Sequence, residues 1–308
     1  MARSLAPSRS TLADMTPDPL LAGALAAIAR DVDTMFDAML PSEGKLAEAM
    51  RYATIGGGKR LRPLLLTATA AMHGVDRSNA LRAAIAIEAV HAYSLVHDDL
   101  PCMDDDAMRH GKPSTHKAFG EAVAVLAGDA LQCFAFEVLS DPATSGDPFV
   151  RAELVQVLAC ASGASGMVGG QMLDIEGEGQ AFDLAAITRM QQLKTGALLS
   201  AAVEMGAVLG KVPAEGRTHL KGYARDIGLA FQIADDLLDH AGDEAKAGKA
   251  LRKDADAGKQ TFVGLLGEER AREQARMLTQ QAIAHLGSYG QEADLLRALA
   301  RYIVERDH

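Results

Sequence analysis

The sequence predicts an all-α fold, a single large helical bundle. Three observations carry that reading. Apolar residues recur at helical spacing along nearly the whole chain. No segment shows the sustained alternation of apolar and polar residues that marks a strand. Alanine and leucine are abundant, β-branched residues are sparse and tryptophan is absent, a composition that favours helix over sheet. At 308 residues the chain could be one domain or two. No Pro/Gly/Ser-rich linker or fixed-period repeat divides it, so one domain over 17–308 is expected. Residues 1–16 carry Arg3 and Arg9 but no apolar core segment, so they read as a disordered leader, not a secretory signal.

The helices follow in order. The periodicity predicts Leu20–Leu40, then Leu46–Ala53, stopped by Gly56-Gly57-Gly58, then Arg62–His73. Asn79 is a candidate cap for a long apolar helix reaching about Asp99, where Pro101 ends it. Further helices fit Glu121–Leu139, Phe149–Ala161, Leu184–Leu209, Glu215–Asp239, Glu268–Leu286 and Glu292–Val304. Bundles of this kind place ligand sites in a cavity between helices.

Composition narrows the function. A net charge of −10 lacks the basic footprint that a nucleic-acid partner requires. Hydrophobic residues at 48% and charged residues at 23% give the balance of a soluble protein. Apolar stretches such as Leu20–Ala29 are too short for a membrane span. Cys102, Cys133 and Cys160 are odd in number and lack metal-type pairing, and read as reduced thiols of a cytoplasmic protein.

The segment His97-Asp98-Asp99-Leu100-Pro101-Cys102-Met103-Asp104-Asp105-Asp106 places five carboxylates within nine residues, directly after an apolar helix. Like charges this close repel, and each raises the pKa of the others, so the cluster wants a cation. A solvated acidic loop is the plainer alternative. Pro101 forces a turn that brings Asp104 back toward Asp98. A second acidic motif lies far along the chain in Phe231-Gln232-Ile233-Ala234-Asp235-Asp236-Leu237-Leu238-Asp239. There Asp235 and Asp239 share one helix face at i and i+4. Carboxylates with no His or Cys ligand nearby point to Mg²⁺, which is commonly held by a few carboxylates together with substrate phosphates.

A diphosphate between two such motifs needs cations as well. Gly56-Gly57-Gly58 is followed by Lys59 and Arg62, Arg109 follows the first motif, Lys194-Thr195 interrupts an apolar helix, and Lys249 and Lys259 flank the segment after the second. The glycine turn is not a P-loop, because Arg60 stands where Ser or Thr should follow Lys59. Each cation alone reads as a surface side chain. Together they supply the counter-charge of a diphosphate.

In this order the motifs resemble the bacterial and plastid branch of the trans-isoprenyl diphosphate synthases, the polyprenyl synthetase family. They are Gly56-Gly57-Gly58-Lys59-Arg60-Leu61-Arg62-Pro63, His91-Ala92-Tyr93-Ser94-Leu95-Val96-His97 leading into Asp98-Asp99, Gly169-Gly170-Gln171-Met172-Leu173-Asp174, Lys194-Thr195-Gly196-Ala197-Leu198, and Phe231-Gln232 leading into Asp235-Asp236. The resemblance covers the chain from about residue 17 onward. It implies an all-α, Mg²⁺-dependent, cytoplasmic homodimer that joins isopentenyl diphosphate to an allylic diphosphate. By position, Asp98 and Asp104 resemble the metal ligands of the first motif, supported by Asp99. Asp235 and Asp239 resemble those of the second, with Asp236 beside them in the catalytic set. Arg109, Lys194, Lys249 and Lys259 would bind the allylic diphosphate, and Thr195 and Gln232 would line the reaction centre. Gly58, Lys59, Arg62, His91 and His110 resemble the isopentenyl diphosphate site.

The resemblance also bears on product length. Tyr93 and Ser94 lie five and four residues before Asp98, about one helical turn (~5.4 Å) below the metal site. Tyr93 as a cavity floor implies a fifteen-carbon product, farnesyl diphosphate; ordinary core packing is the plainer reading of a helix aromatic. A twenty-carbon product, geranylgeranyl diphosphate, is the alternative.

Two departures stand out. Where the family usually carries two arginines this chain has Arg109-His110, and a neutral histidine cannot offer a guanidinium fork. Weaker isopentenyl diphosphate binding, improving between pH 8 and 6, is expected. Leu251-Arg252 replaces a usual Thr-Gly pair. Other readings fare worse. A terpene cyclase normally needs an Asn-containing metal triad, and Asn79, the only asparagine, precedes the first motif. A di-iron bundle needs two Glu-x-x-His motifs, and the only mate of Glu88–His91 is Glu305–His308 at the chain end. A non-catalytic partner subunit would be expected to lose metal ligands that are intact here.

Overall fold

The computed structural model describes residues 18–177, 179–180, 182–241 and 261–305. Within them the chain is helical apart from one hairpin of two-residue strands. The Asp18 side chain accepts from Leu20 N–H and Pro19 opens helix α1 (Pro19–Met39). Next come α2 (Lys45–Thr54), α3 (Leu61–Met72) and α4 (Arg77–Asp98). Asp76, not Asn79, caps α4, taking Ser78 N–H at 2.8 Å. Both residue types suit a cap; Asn79 is instead committed to tertiary bonds, donating Nδ2 to the carbonyls of Ala143 and Thr144 at 3.0 Å each.

Helix α4 is apolar on all sides and correspondingly central. It buries thirteen side chains between Ala80 and Val96 and packs on α1, α3 and α6 (Glu121–Ser140). Between α4 and α6 lie β1 (Met108–Arg109), β2 (Lys112–Pro113) and the short α5 (Thr115–Phe119). His110 and Gly111 form the two-residue turn with φ of +52° and +76°, the type I′ geometry that suits a tight hairpin. The hairpin is fastened to α2: Tyr52 Oη donates to the Pro113 carbonyl at 2.7 Å, and Lys112 Nζ sits 4.2 Å from the Tyr52 ring centre.

Helices α7 (Pro148–Ser162) and α8 (Met167–Glu176) follow. The segment read as one helix over 184–209 is α9 (Leu184–Gln191) and α10 (Ala197–Leu209), joined by one π-turn, Gln192–Gly196. After it run α11 (Thr218–Ala241), α12 (Phe262–Leu266), α13 (Glu268–His285) and α14 (Asp294–Glu305). Helix α10 packs on α3, α4, α7 and α11, and α11 on α13 and α14, so one apolar core runs through the bundle. By length and composition Glu121–Ser140 and Pro148–Glu176 could cross a bilayer, which the sequence reading did not single out; α6 turns Ala124, Ala127, Leu131, Phe134 and Val138 into the bundle, as a globular core helix does. The three cysteines are exposed and free.

Candidate active site

Both acidic motifs lie at the C-terminal ends of long helices that line the core. Asp98 is the last residue of α4, and Asp235 and Asp239 sit in the last two turns of α11. The helix dipole is negative there, so it adds to the repulsion instead of relieving it. Asp98 carries the consequence: burial, with the Asp104 and Asp99 charges, pushes its carboxyl up to about 6 against the pull of Lys194 and Arg109. The turn at Pro101 closes as expected, with Asp104 N–H donating to the Asp98 carbonyl at 2.8 Å and Asp105 N–H to that of Leu100 at 3.1 Å. The carboxylates of Asp98 and Asp104 are hard oxygen groups of the class that Mg²⁺ prefers. Among the described residues no three His, Cys, Asp or Glu side chains converge as a ready-made metal cage.

Asp99 points elsewhere. Its side chain is 3% exposed and takes Arg109 Nε at 3.0 Å on Oδ1, with Nη2 on the same oxygen. Asp106 holds Arg109 Nη2 from the other side at 3.2 Å. The hairpin aims Arg109 back at the loop, and these carboxylates raise its pKa in spite of burial. Lys194, in the π-turn, is fixed by Asp174 of α8 at 2.6 Å. Asp174 belongs to the Gly169–Asp174 motif, to which the sequence assigned no role. Gly170, one turn earlier, lets α8 approach: a Cβ there would overlap the Lys194 backbone nitrogen.

Helix α11 crosses the π-turn at Gly228, where an added Cβ would lie 3.4 Å from the Gly196 Cα. Gly228, Gln232, Asp235 and Asp239 follow at helical spacing on one face of α11, so Gln232 and the second acidic motif run on from that crossing, which also holds Thr195. Asp236 faces away. It is 7% exposed and accepts Phe262 N–H at 2.8 Å, tying α12 to α11.

The basic side is built around the glycine turn. Gly56 and Gly58 adopt φ of +77° and +80°, which only glycine takes freely, and Arg60 follows at +50°. Lys59 is exposed and Arg62 half-buried, its Nε without a hydrogen-bond partner among the described residues. Desolvation lowers the Arg62 pKa, while Glu88 and Asp235 act to raise it, so Arg62 is electrostatically linked to the second acidic motif. His91 is held well below the usual histidine range by burial and by Arg62, His110, Arg60 and Arg109. The His110 ring lies against the turn, 3.1 Å from where a Gly57 Cβ would stand and 3.7 Å from one on Gly58. Burial, then Arg109, Arg60 and Lys112, lower its pKa. The turn, His91 and His110, distant in sequence, therefore share one cationic corner.

Tyr93 is 6% exposed, its ring stacked edge-on to His97 with centroids 5.8 Å apart. Burial raises its pKa, and Gln132 of α6 faces its hydroxyl. Ser94 is half-buried and donates Oγ to the His91 carbonyl at 2.9 Å. Lys249, Leu251-Arg252 and Lys259, like the leader, lie outside the described residues.

Known proteins agree with this architecture. The polyprenyl synthetase profile matches residues 43–300. The farnesyl diphosphate synthase of Escherichia coli K12 is 46% identical over 280 residues, covering 88% of this chain and 93% of that protein. Geranylgeranyl pyrophosphate synthase 11 of Arabidopsis thaliana, a chloroplastic protein, is 43% identical over 287 residues, 90% of this chain and 80% of that one. Among solved structures, an FPP/GFPP synthase from Zymomonas mobilis in its apo form superimposes with a TM-score of 0.84 at 55% identity, over 92% of this chain and 99% of that one. A geranyltransferase from Helicobacter pylori, complexed with magnesium and isoprenyl diphosphate, gives 0.83 at 31% identity, over 95% and 100%. With its motifs in place on the matching fold, the chain belongs to the polyprenyl synthetase family.

Proposed function

We propose that this protein condenses isopentenyl diphosphate with dimethylallyl or geranyl diphosphate, yielding farnesyl diphosphate and releasing diphosphate. The observation that carries this reading is the turn that brings Asp104 back to Asp98 at the end of α4, with Arg109 fixed by Asp99 and Lys194 by Asp174 beside it; the Lys194 and Arg109 charges act on the Asp98 carboxyl. The bacterial farnesyl diphosphate synthases among the relatives support the product.

In this reading Asp98 and Asp104, together with Asp235 and Asp239, would hold Mg²⁺. Bound there, Mg²⁺ neutralises diphosphate charge and so assists departure of that group. Arg109 and Lys194, with Lys249 and Lys259, bind the allylic diphosphate and stabilise charge on it as its C–O bond breaks. Lys59, Arg62, His91 and His110 hold isopentenyl diphosphate so that its double bond faces the resulting allylic cation. The new C–C bond forms, and a proton is lost to the departed diphosphate. Apolar α4 and α10 keep water from the cation. Tyr93 is the floor that stops the chain at fifteen carbons.

The protein works in the cytoplasm as a homodimer. Its free cysteines suit a reducing compartment, and apolar Val125 and Leu126 of α6 stand exposed, as do Val168, Met172 and Ile175 of α8. Light scattering on the purified protein tests the dimer.

The activity is tested by product analysis. Purified protein is incubated with Mg²⁺, isopentenyl diphosphate and, separately, dimethylallyl or geranyl diphosphate. A fifteen-carbon product supports the whole reading, a twenty-carbon product moves the floor below Tyr93, and no condensation with either primer overturns the activity.

A further inference from the structure

Arg60 sits at the N-terminus of α3, between Lys59 and Arg62, and its guanidinium is turned inward. It is 5% exposed and reaches three elements: Nη1 donates to Glu88 Oε1 on α4 at 2.8 Å, and Nη2 donates to Asp33 Oδ1 on α1 at 2.7 Å and to the Thr54 carbonyl at the end of α2. Asp33 reaches the other end of the same turn, its Oδ2 accepting Gly56 N–H at 3.3 Å. Glu88 is equally buried at 5% and lies against the turn, 4.0 Å from where a Gly58 Cβ would stand. One helical turn beyond Glu88 on α4 is His91. A carboxylate thus lies inside the corner where the proposed function puts a diphosphate.

We infer that Arg60 and Glu88 form a positioning pair: Arg60 takes up the Glu88 carboxylate so that the neighbouring Arg62 is left for the isopentenyl diphosphate. The inference rests on the proposed reading of Lys59, Arg62 and His91. Neither Arg60 nor Glu88 touches substrate. Two buried charges offset their desolvation only when paired and fully hydrogen-bonded, and the Arg60 fork is met on three sides. Without Arg60, the Glu88 charge, which already acts on Arg62, would draw that guanidinium inward and repel a phosphate group. The Arg62 Nε, buried without a hydrogen-bond partner among the described residues, marks a fork held open for a ligand.

The test is steady-state kinetics on Arg60→Gln, Glu88→Gln and the double variant, with KM measured for both substrates and folding checked by circular-dichroism melting. Arg60→Gln raises the KM for isopentenyl diphosphate about tenfold, the scale of one lost hydrogen bond to a charged group, and leaves the allylic KM in place. The double variant recovers most of that loss, because the stranded carboxylate is gone. Glu88→Gln alone, which keeps the Asp33 and Thr54 bonds, lowers the isopentenyl KM about threefold by removing a like charge near the phosphates. A double variant as impaired as Arg60→Gln, or both KM values moving alike, overturns the pairing. If Arg60→Gln does not fold, Glu88→Gln decides: a raised isopentenyl KM overturns the inference and a lowered one supports it. Absence of condensation by the unmodified protein overturns the proposed activity and this inference with it.

Discussion

Arg109 is held by Asp99, Nε to Oδ1 at 3.0 Å, and Asp99 is buried at 3% exposure. Of two adjacent aspartates at the end of α4, Asp98 carries the raised pKa and Asp99 fixes an arginine. Asp99→Asn keeps the shape and removes the charge, leaving Asp106 as the carboxylate on Arg109. We expect a loss of about 1–3 kcal/mol in stability. The turnover rate should fall at least about tenfold, as for a lost charge-assisted contact in the transition state. Chemical denaturation and single-turnover rates check this; a wild-type rate would show that Arg109 is held well enough by Asp106.

Gly170→Ala tests the role of α8. A Cβ there meets backbone, which cannot rotate away, so α8 must retreat from the π-turn and carry Asp174 off Lys194. The expected cost is about 1–3 kcal/mol, the range for overpacking, with a raised KM for the allylic substrate. An unchanged allylic KM in a folded variant would show that Lys194 keeps its place without Asp174.

If the proposed Mg²⁺ binds at Asp98, the carboxyl, pushed up to about 6, makes that binding pH-dependent. Its pKa in the folded chain lies above the unfolded value, so without metal its ionisation costs stability as pH rises from about 4 to 6. A metal must displace the proton below about pH 6 but not well above it. The Mg²⁺ concentration for half-maximal activity should therefore be higher at pH 5.5 than at pH 7.5, and Mg²⁺ should raise the melting temperature more at pH 7.5. Equal half-saturation at the two pH values would sink this account.

For His110 the structure amends the sequence expectation. Burial and three cationic neighbours lower its pKa from the ordinary 6.5, and His91 is lowered further. A bound diphosphate favours the protonated ring, so affinity still rises as pH falls, but in the window below 6.5. The isopentenyl KM should be flat from pH 7 to 8 and drop below 6.5, while His110→Arg should lower it throughout and flatten the profile. A His110→Arg profile as steep as wild type would move the titrating group elsewhere.

Tyr93→Ala should lengthen the product, because it opens space on the buried face of α4, about one helical turn before Asp98. The cost is about 3–5 kcal/mol by analogy with other aromatic truncations in cores. Chromatography of the dephosphorylated products reads it directly; a fifteen-carbon product from the variant would put the floor on another side chain.

Much of this was legible in the sequence because it is local. The helix limits of α1, α3, α6 and α7 fall within a residue or two of those the periodicity gives, and the Pro101 turn was read from the proline and the spacing of Asp98 and Asp104. What was not legible is non-local. Asp174 reaches Lys194 across 20 positions and Glu88 reaches Arg60 across 28, and neither pairing leaves a mark on a one-dimensional pattern. The Asp76 cap was missed because Asn79 is an equally good capping type until its amide is spent elsewhere. The hairpin is too short for strand alternation to register, and its signal was the pair His110-Gly111 at a position demanding positive φ.

The π-turn at Gln192–Gly196 has a geometric effect of its own. One extra residue in the coil sets everything after it back by about 100° around the axis relative to an uninterrupted helix, since a residue subtends a 3.6th of a turn. Helices α9 and α10 are thus two segments with different phases. Ile187 and Met190 can face inward before the break, and the apolar run from Leu198 to Leu209 is re-indexed to the core after it. The hinge of that rotation is where Lys194 and Thr195 stand. A one-residue deletion there would turn the π-turn into plain α-helix and keep α10 facing the core, but it would remove the wide turn on which Lys194 and Thr195 stand.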